Sequence, residues 1–181
     1  MFVVAVDAFH HPVVPQPCAR AESQESIRFL PNPAQFKVND VTFGIVNTDI
    51  LKHLSKQEIS RKAPGAKGGS RLVRLASHLI SQRKFYPLFP PAKGVNVDYS
   101  HPEMLRMHVR PDVLITPGDL NYFASKTQDG ESVCLNPGRL SKGNSGGTYA
   151  MVTIHCLKGK PTDEGFDRSA ADRIRVDVLR I

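Results

Sequence analysis

The last nine residues, RIRVDVLRI (173–181), alternate strictly, with Ile174, Val176 and Val178 set against Arg173, Arg175 and Asp177. A period of two predicts a strand with one face on the core and one in water. FKVNDVTFGIV reads as two strands joined by the turn Asn39-Asp40, residue types that tolerate the positive φ of a tight hairpin. DVLIT (112–116), ESVCL (131–135) and TYAMVTIHCL (148–157) are further strands, and MFVVAV at the start reads as a buried one. The period lengthens between residues 70 and 83, where Leu72, Leu75, Ala76, Leu79 and Ile80 recur at helical spacing with Arg71, Arg74, Ser77 and Arg83 largely on other faces. A shorter helix, capped by Thr48, carries Ile50, Leu51 and Leu54 on one side. Between these elements RKAPGAKGGS (61–70) is a loop, FYPLFPPAKG (85–94) an extended proline-ruled segment whose aromatics either pack inward, the favoured reading, or are offered to a partner, and KGKPTDEGFDRSAAD (158–172) a polar surface connection. The sum is an α/β or α+β fold dominated by strands in its second half.

Composition changes this picture little: 181 residues, 40% hydrophobic and 23% charged, suit one domain with a real core. No apolar run approaches the length of a membrane span, so no membrane partner is expected. The opening apolar run lacks a basic flank and meets Asp7 at once, unlike a secretory signal; a chain that starts directly inside a strand also reads as the tail of something longer. Cys18, Cys134 and Cys156 lack C-x-x-C spacing and leave an odd one out, which suits a reducing compartment and argues against a disulfide framework or a zinc site of cysteine pairs. The net charge of +7 is unevenly placed, because Lys52 to Lys93 holds ten Lys or Arg against the single acid Glu58. Such a tract faces either nucleic acid or an acidic partner, or is a solvated basic face.

Candidate chemistry is sparse. Gly138 and Gly143 have P-loop spacing, but Asn144 stands where the lysine belongs, and the following TYAMVTIHCL is strand-forming where a P-loop opens a helix. Asp7, the His10-His11 pair, Asp49, Asp112 and Asp119 are candidate metal ligands, yet neighbouring histidines on a strand point to opposite sides. His53, His78, His101, His108 and His155 are scattered without ligand spacing, and no G-x-S-x-G elbow or local cysteine signature is present.

Read in order, HHPVVPQP (10–17), VTFGIVNTDILKHLSKQEIS (41–60), LISQRKFYPLFPP (79–91), HVRPDVLITPGDLNYF (108–123), CLNPGRLSKGNSGGTYAMVTI (134–154) and the closing VDVLRI resemble the C-terminal portion of the B subunits of DNA polymerase α–primase. The resemblance covers nearly the whole chain. It implies the C-terminal part of a calcineurin-like phosphoesterase-type β-sandwich flanked by helices, with the catalytic metal site lost and no cofactor. In active relatives a strand ends in Gly-His-x-His; the two histidine positions fall here on Gly118 and Leu120, which offer no ligand atom. Asn136-Pro137-Gly138 occupies the place of the family's Asn-Pro-Gly turn, with Pro137 fixing φ and Gly138 allowing a left-handed bend.

The implied role is a non-catalytic accessory protein of that complex, nuclear, acting at replication initiation and primer synthesis. Its implied partners are the C-terminal region of the polymerase α catalytic subunit, the primase subunits within the complex, and DNA. Arg71, Arg74, Arg83, Lys84, Arg139 and Lys142 are the candidate DNA or partner contacts. A complete member of the family would add an N-terminal helical domain, an OB-fold and the first half of the phosphoesterase-like domain, so residues 1–181 are expected to be a fragment of it. MFVVAVDAF fits the family only loosely, and loop 61–70 is not carried over from it. Two rival readings are a divergent metal-dependent phosphoesterase relying on Asp7 or His11, and a basic DNA-binding module built on the tract 52–93.

Overall fold

The computed structural model describes residues 13–17, 29–59, 70–127, 129–156 and 170–181. The expected N-terminal strand, Asp7, His10, His11 and the loop 61–69 lie outside the described residues. In chain order the elements are β1 (Val13–Val14), β2 (Ala34–Val38), β3 (Val41–Ile45), α1 (Ile50–Gln57), α2 (Arg71–Ser81), β4 (Asn96–Val97), β5 (Val113–Ile115), β6 (Phe123–Lys126), β7 (Val133–Asn136), β8 (Ser141–Lys142), β9 (Ser145–Gly146), β10 (Thr148–Ile154) and β11 (Ile174–Arg180). Short 3-10 turns span Pro102–Leu105 and Ala170–Asp172.

Five strands form a mixed sheet in the order β2-β3-β5-β7-β6, with β3, β5 and β7 parallel and the two outer strands antiparallel to their neighbours. Because strand side chains alternate, each central strand serves two cores. Leu114 and Cys134 point to one side, where Ile50, Leu54, Leu75, Leu79, Phe85 and Met107 complete a buried cluster with α1 and α2. Val113 and Leu135 point to the other, joining Val41 and Ala170 in a second cluster. Against that second cluster pack the half-buried Ala150, Val152 and Ile154 of β10 and Ile174 and Val176 of β11, two strands paired antiparallel along seven residues. The layers are therefore helices, five-stranded sheet and two-stranded sheet: a mixed α/β fold.

Several expectations need correction. The N-cap of α1 is Asp49, not Thr48, and its carboxylate makes no capping bond. On α2 the buried residue of the first turn is Val73, while Leu72 is half-buried, because the helix turns that edge toward the sheet. Phe85 and Tyr86 are buried, but Phe89 is 83% exposed, edge-on to Tyr99, because the chain swings outward around it. The connection before β11 is not wholly superficial, since Ala170 and Ala171 are buried and Ala170 belongs to the second core. β11 keeps no fully buried face; Ile174, Val176 and Val178 remain half-exposed because only one thin layer covers the main sheet on that side.

The two described cysteines differ sharply in reactivity. Burial in the helix-side core pushes the Cys134 thiol up to about 12, whereas Cys156 is exposed. Since the thiolate is the nucleophile, a maleimide added to native protein is expected to label the Cys156 peptide at least about tenfold faster than the Cys134 peptide, as read by peptide mass mapping. Comparable rates before unfolding would contradict the burial of Cys134.

Candidate functional site

In a sheet with parallel strands, the loops leaving the C-terminal strand ends converge at one edge, and ligands of such sheets bind there. Here β3, β5 and β7 end at Ile45, Ile115 and Asn136. Their loops deliver Asn47 and Asp49, then Pro117 and Gly118, then Gly138 and Arg139, and the cavity between them measures about 530 Å³. The third loop is set by Asn136, which is 1% exposed and accepts at Oδ1 from the Gly138 N–H at 2.8 Å while donating from Nδ2 to the Leu120 carbonyl at 3.1 Å. Gly138 has φ 77°, and a Cβ there would meet Thr148 Oγ1, whose hydroxyl donates to the Pro137 carbonyl at 2.7 Å. The chain then runs through the β8–β9 hairpin into strand β10, with no helix at the position a phosphate loop requires.

Asp49 lines this cavity, Asp119 follows Gly118 in the loop after β5, and the chain supplies the counter-charges of both. Lys52 Nζ lies 2.7 Å from Asp119 Oδ2 and 3.7 Å from Asp49 Oδ2, and Arg139 Nη2 lies 2.5 Å from Asp119 Oδ1. The Asp119 N–H also donates to Asp49 Oδ2 at 3.3 Å. The Lys52 hydrogen bond, reinforced by the Arg139 charge, holds the Asp119 carboxyl below its ordinary value, and Asp119 in turn raises Lys52. Gly118 presses against Asp49 so closely that a Cβ would strike its Oδ1, and Leu120 is half-buried against the helix-side core. Among the described residues no three His, Cys, Asp or Glu side chains gather as a metal site. A cation bound to Asp49 and Asp119 would have to displace Lys52 and find its other ligands elsewhere.

The candidate cations of the basic tract separate into different settings. Arg71 and Arg74, on α2, clasp Glu58 at the end of α1: Arg74 Nε to Oε1 at 2.6 Å and Arg71 Nε to Oε2 at 3.1 Å, with the Glu58 side chain only 8% exposed. The Arg74 hydrogen bond, then that of Arg71, lowers the Glu58 carboxyl to about 2. Arg83 and Lys84 follow the end of α2 in a different cleft, and Lys142 is exposed on β8. Of the sequence-derived candidates, the structure brings Gly118, Gly138 and Arg139 together around one cavity, joins Arg71 and Arg74 on Glu58, sets Arg74 and Arg83 around another cavity, and places Lys142 on β8. Lys52 entered the sequence reading only as the first cation of the basic tract; the one signal of its pairing was its place three residues after Asp49 on a helix. His53 packs edge-on against Tyr86 at 6.2 Å, and burial lowers its pKa.

A carboxylate with a depressed folded-state pKa stabilises the fold above its unfolded value, and that stabilisation is lost as pH falls through the folded value. For Glu58 the window runs from 4.5 down to about 2. Because Arg71 is 56% exposed, the full shift is screened, and Glu58→Gln is expected to cost about 1–2 kcal/mol at neutral pH. The variant should also lose the part of the acid slope that this carboxylate contributes. Overlapping wild-type and variant stability curves across that window, measured by urea unfolding, would remove the clasp.

Comparison with known protein families matches residues 5–125 to the B subunits of DNA polymerase alpha/epsilon. The DNA polymerase alpha B subunit of Rattus norvegicus is 36% identical over 97% of this chain and 29% of that protein. The protein of the same name from Schizosaccharomyces pombe is 37% identical over 83% of this chain and 27% of its own length, and the probable DNA polymerase epsilon subunit 2 of Caenorhabditis elegans is 27% identical over 66% and 21%. The chain spans less than a third of the length of these relatives. The matched family segment carries both helices, the β2–β3 hairpin and the Asp49–Lys52–Asp119 part of the strand-end cluster, and on that match the chain belongs to the DNA polymerase alpha/epsilon B-subunit family.

Proposed function

We propose that this chain is part of a non-catalytic accessory B subunit of the nuclear polymerase α–primase complex, acting in replication initiation and primer synthesis. On this reading its fold is the C-terminal part of a calcineurin-like phosphoesterase domain that has lost its metals, and its partners are the C-terminal region of the catalytic subunit and, within the complex, primase. The observation that carries the non-catalytic part is the strand-end cluster: Asp49 and Asp119 are engaged by Lys52, and Asp119 also by Arg139, at the edge where such a fold would hold its metals. Carboxylates paired with Lys52 and Arg139 are poor ligands for a metal that would acidify a bound water, which is the usual route to a hydroxide nucleophile at neutral pH. Lys52 and Arg139 serve instead to join α1, the loop after β5 and the loop after β7, which gives that edge a fixed shape for a partner.

The test is purification from nuclear extract through a tag at the Ile181 end, reading the companions by mass spectrometry and the eluate for manganese-stimulated phosphodiester hydrolysis. Polymerase and primase subunits without such hydrolysis are the expected result. Turnover that disappears in an Asp119→Asn variant, or a product free of those subunits, would overturn the proposal.

A further inference from the structure

We infer that the cleft at the C-terminal end of α2 binds the phosphodiester backbone of nucleic acid, with Arg83, Lys84 and Arg106 as its contact residues. The cleft measures about 690 Å³ and is also lined by Pro102, Glu103 and His108. Lys84 and Arg106 face each other across an isolated antiparallel bridge, flanked by the backbone bonds Phe85 N–H to the Leu105 carbonyl at 2.8 Å and Met107 N–H to the Arg83 carbonyl at 2.9 Å. Phe85, Leu105 and Met107 turn into the core, so Lys84 and Arg106 turn out on one face. Opposed residues of such a pair have Cβ atoms only about 5 Å apart, and like charges there repel.

Charge pairing elsewhere makes this cluster unusual within the molecule. Arg71, Arg74, Arg110, Arg139, Arg173 and Arg175 each have a carboxylate partner. Among the described arginines Arg83, Arg106 and Arg180 have none, and two of those three share this cleft with Lys84. Glu103, the acid at its rim, lies beside His101 at 3.3 Å.

The backbone adds an independent observation. The N–H groups of Arg83 and Lys84 bond the carbonyls of Ile80 and Leu79 at 3.0 and 3.1 Å, closing α2 with a Schellman motif whose left-handed position is held by Arg83 at φ 49°. Glycine is the usual occupant of that position, because a Cβ is disfavoured there. An arginine in its place is disfavoured locally and presents a guanidinium at the mouth of the cleft, and residues held in sparsely populated conformations cluster at functional sites.

The chemistry favours nucleic acid over an acidic protein. Protein interfaces rely on buried aromatic and aliphatic anchors, whereas among the described residues Pro102 is the only apolar side chain lining this cleft. Planar guanidinium forks match phosphate oxygens bidentately. Contacts made to phosphates carry no sequence information, so recognition here is independent of sequence.

The experiment titrates the full chain into a fluorescein-labelled random-sequence DNA duplex and reads anisotropy at several salt concentrations. The variant is Arg83→Asn, Lys84→Gln and Arg106→Gln together; asparagine tolerates the left-handed backbone, and thermal unfolding verifies the fold. It should weaken binding at least about tenfold at low salt and reduce the slope of log K against log salt by about 2–3, while Arg180→Gln, at an exposed position of β11, changes affinity by less than about twofold. Absence of duplex binding by the unsubstituted chain, unchanged affinity and slope in the triple variant, or displacement by polyglutamate as effective as by unlabelled duplex would overturn the inference, the last reassigning the cleft to an acidic protein. Copurification with polymerase and primase is a separate readout, so failure here is distinguishable from failure of the accessory-protein reading.

Discussion

Phe85→Ala is expected to destabilise the fold by about 3–5 kcal/mol, lowering the thermal midpoint by roughly 10 °C. The ring is 1% exposed within the helix-side core, beside Leu75, Leu79, Met107 and Leu114. The cost of a truncation depends on how far the surroundings collapse into the space left behind. Here collapse is resisted on two sides. The Phe85 N–H is bonded to the Leu105 carbonyl at 2.8 Å, and on the sheet Gly44 offers no side chain to lean in, its Cα bearing so close to the ring that an added Cβ would stand 3.3 Å from Phe85 Cε1. The sequence contains no tryptophan, so urea unfolding is best followed by far-UV circular dichroism. Leu179→Ala, at a residue 38% exposed on β11, is the comparison and should cost less than about 1 kcal/mol. Equal midpoint shifts for the two variants would show that Phe85 is not at the centre of the core.

Gly147→Ala is the second large effect, and its cause is collision rather than a cavity. A Cβ on Gly147 would overlap the backbone carbonyl of Arg139, which cannot swing away as a side chain can. That carbonyl accepts from the Thr148 N–H at 2.8 Å, the Gly147 N–H donates to Leu140 at 2.9 Å, and the Gly147 carbonyl accepts from Ile181 at 3.0 Å. Making room means loosening these bonds, for a loss of about 2–4 kcal/mol. Amide exchange at Thr148 and Ile181 should accelerate with it. Gly143→Ala separates sterics from backbone preference, because Gly143 has φ 61° but nothing within 4 Å of an added Cβ. Its cost should be near 1 kcal/mol, with exchange at Thr148 unchanged. If both variants unfold alike, the close approach at Gly147 is not the determinant.

Elements whose apolar residues repeat locally were legible in the sequence. The hairpin of β2 and β3, both helices, β5, β7, β10 and β11 all appear where periodicity places them. Of the Asn39-Asp40 turn, Asn39 carries the anticipated positive φ, at 54°, and Asp40 does not. β6 was not legible, because Phe123–Lys126 has one half-buried residue followed by three exposed ones, and its strand character comes from pairing with β7. Nor was the cap of α1. Asp49 has the right chemistry for capping, but Lys52 and the Asp119 amide compete for its carboxylate, and a competition between distant segments leaves no local pattern. The strand-end cavity follows the same logic: the acids Asp49 and Asp119 are visible as residues, but parallel register between β3 and β5 is what makes them neighbours. The basic tract was legible as charge, but not in its partners. Proximity in sequence suggested one surface for Arg71, Arg74, Arg83 and Lys84; folding also engages the first two with Glu58 and sets the last two beside Arg106 from a segment beyond residue 100, while Arg74 and Arg83 still share a cavity.

The second core has a consequence for the order of synthesis. It joins Val41 to Ala170, and Arg173 reaches back to pair with Asp40, the turn residue of the first hairpin, across 133 positions. A nascent chain emerging from the ribosome can complete the helix-side core while the apolar face formed by Phe43, Val113 and Leu135 still awaits its cover. Contacts of such long sequence separation are slow to close and leave strand surface open meanwhile. Translation that stops before β11 would release a species with its helices docked and one sheet face bare, a natural substrate for chaperones rather than a soluble intermediate.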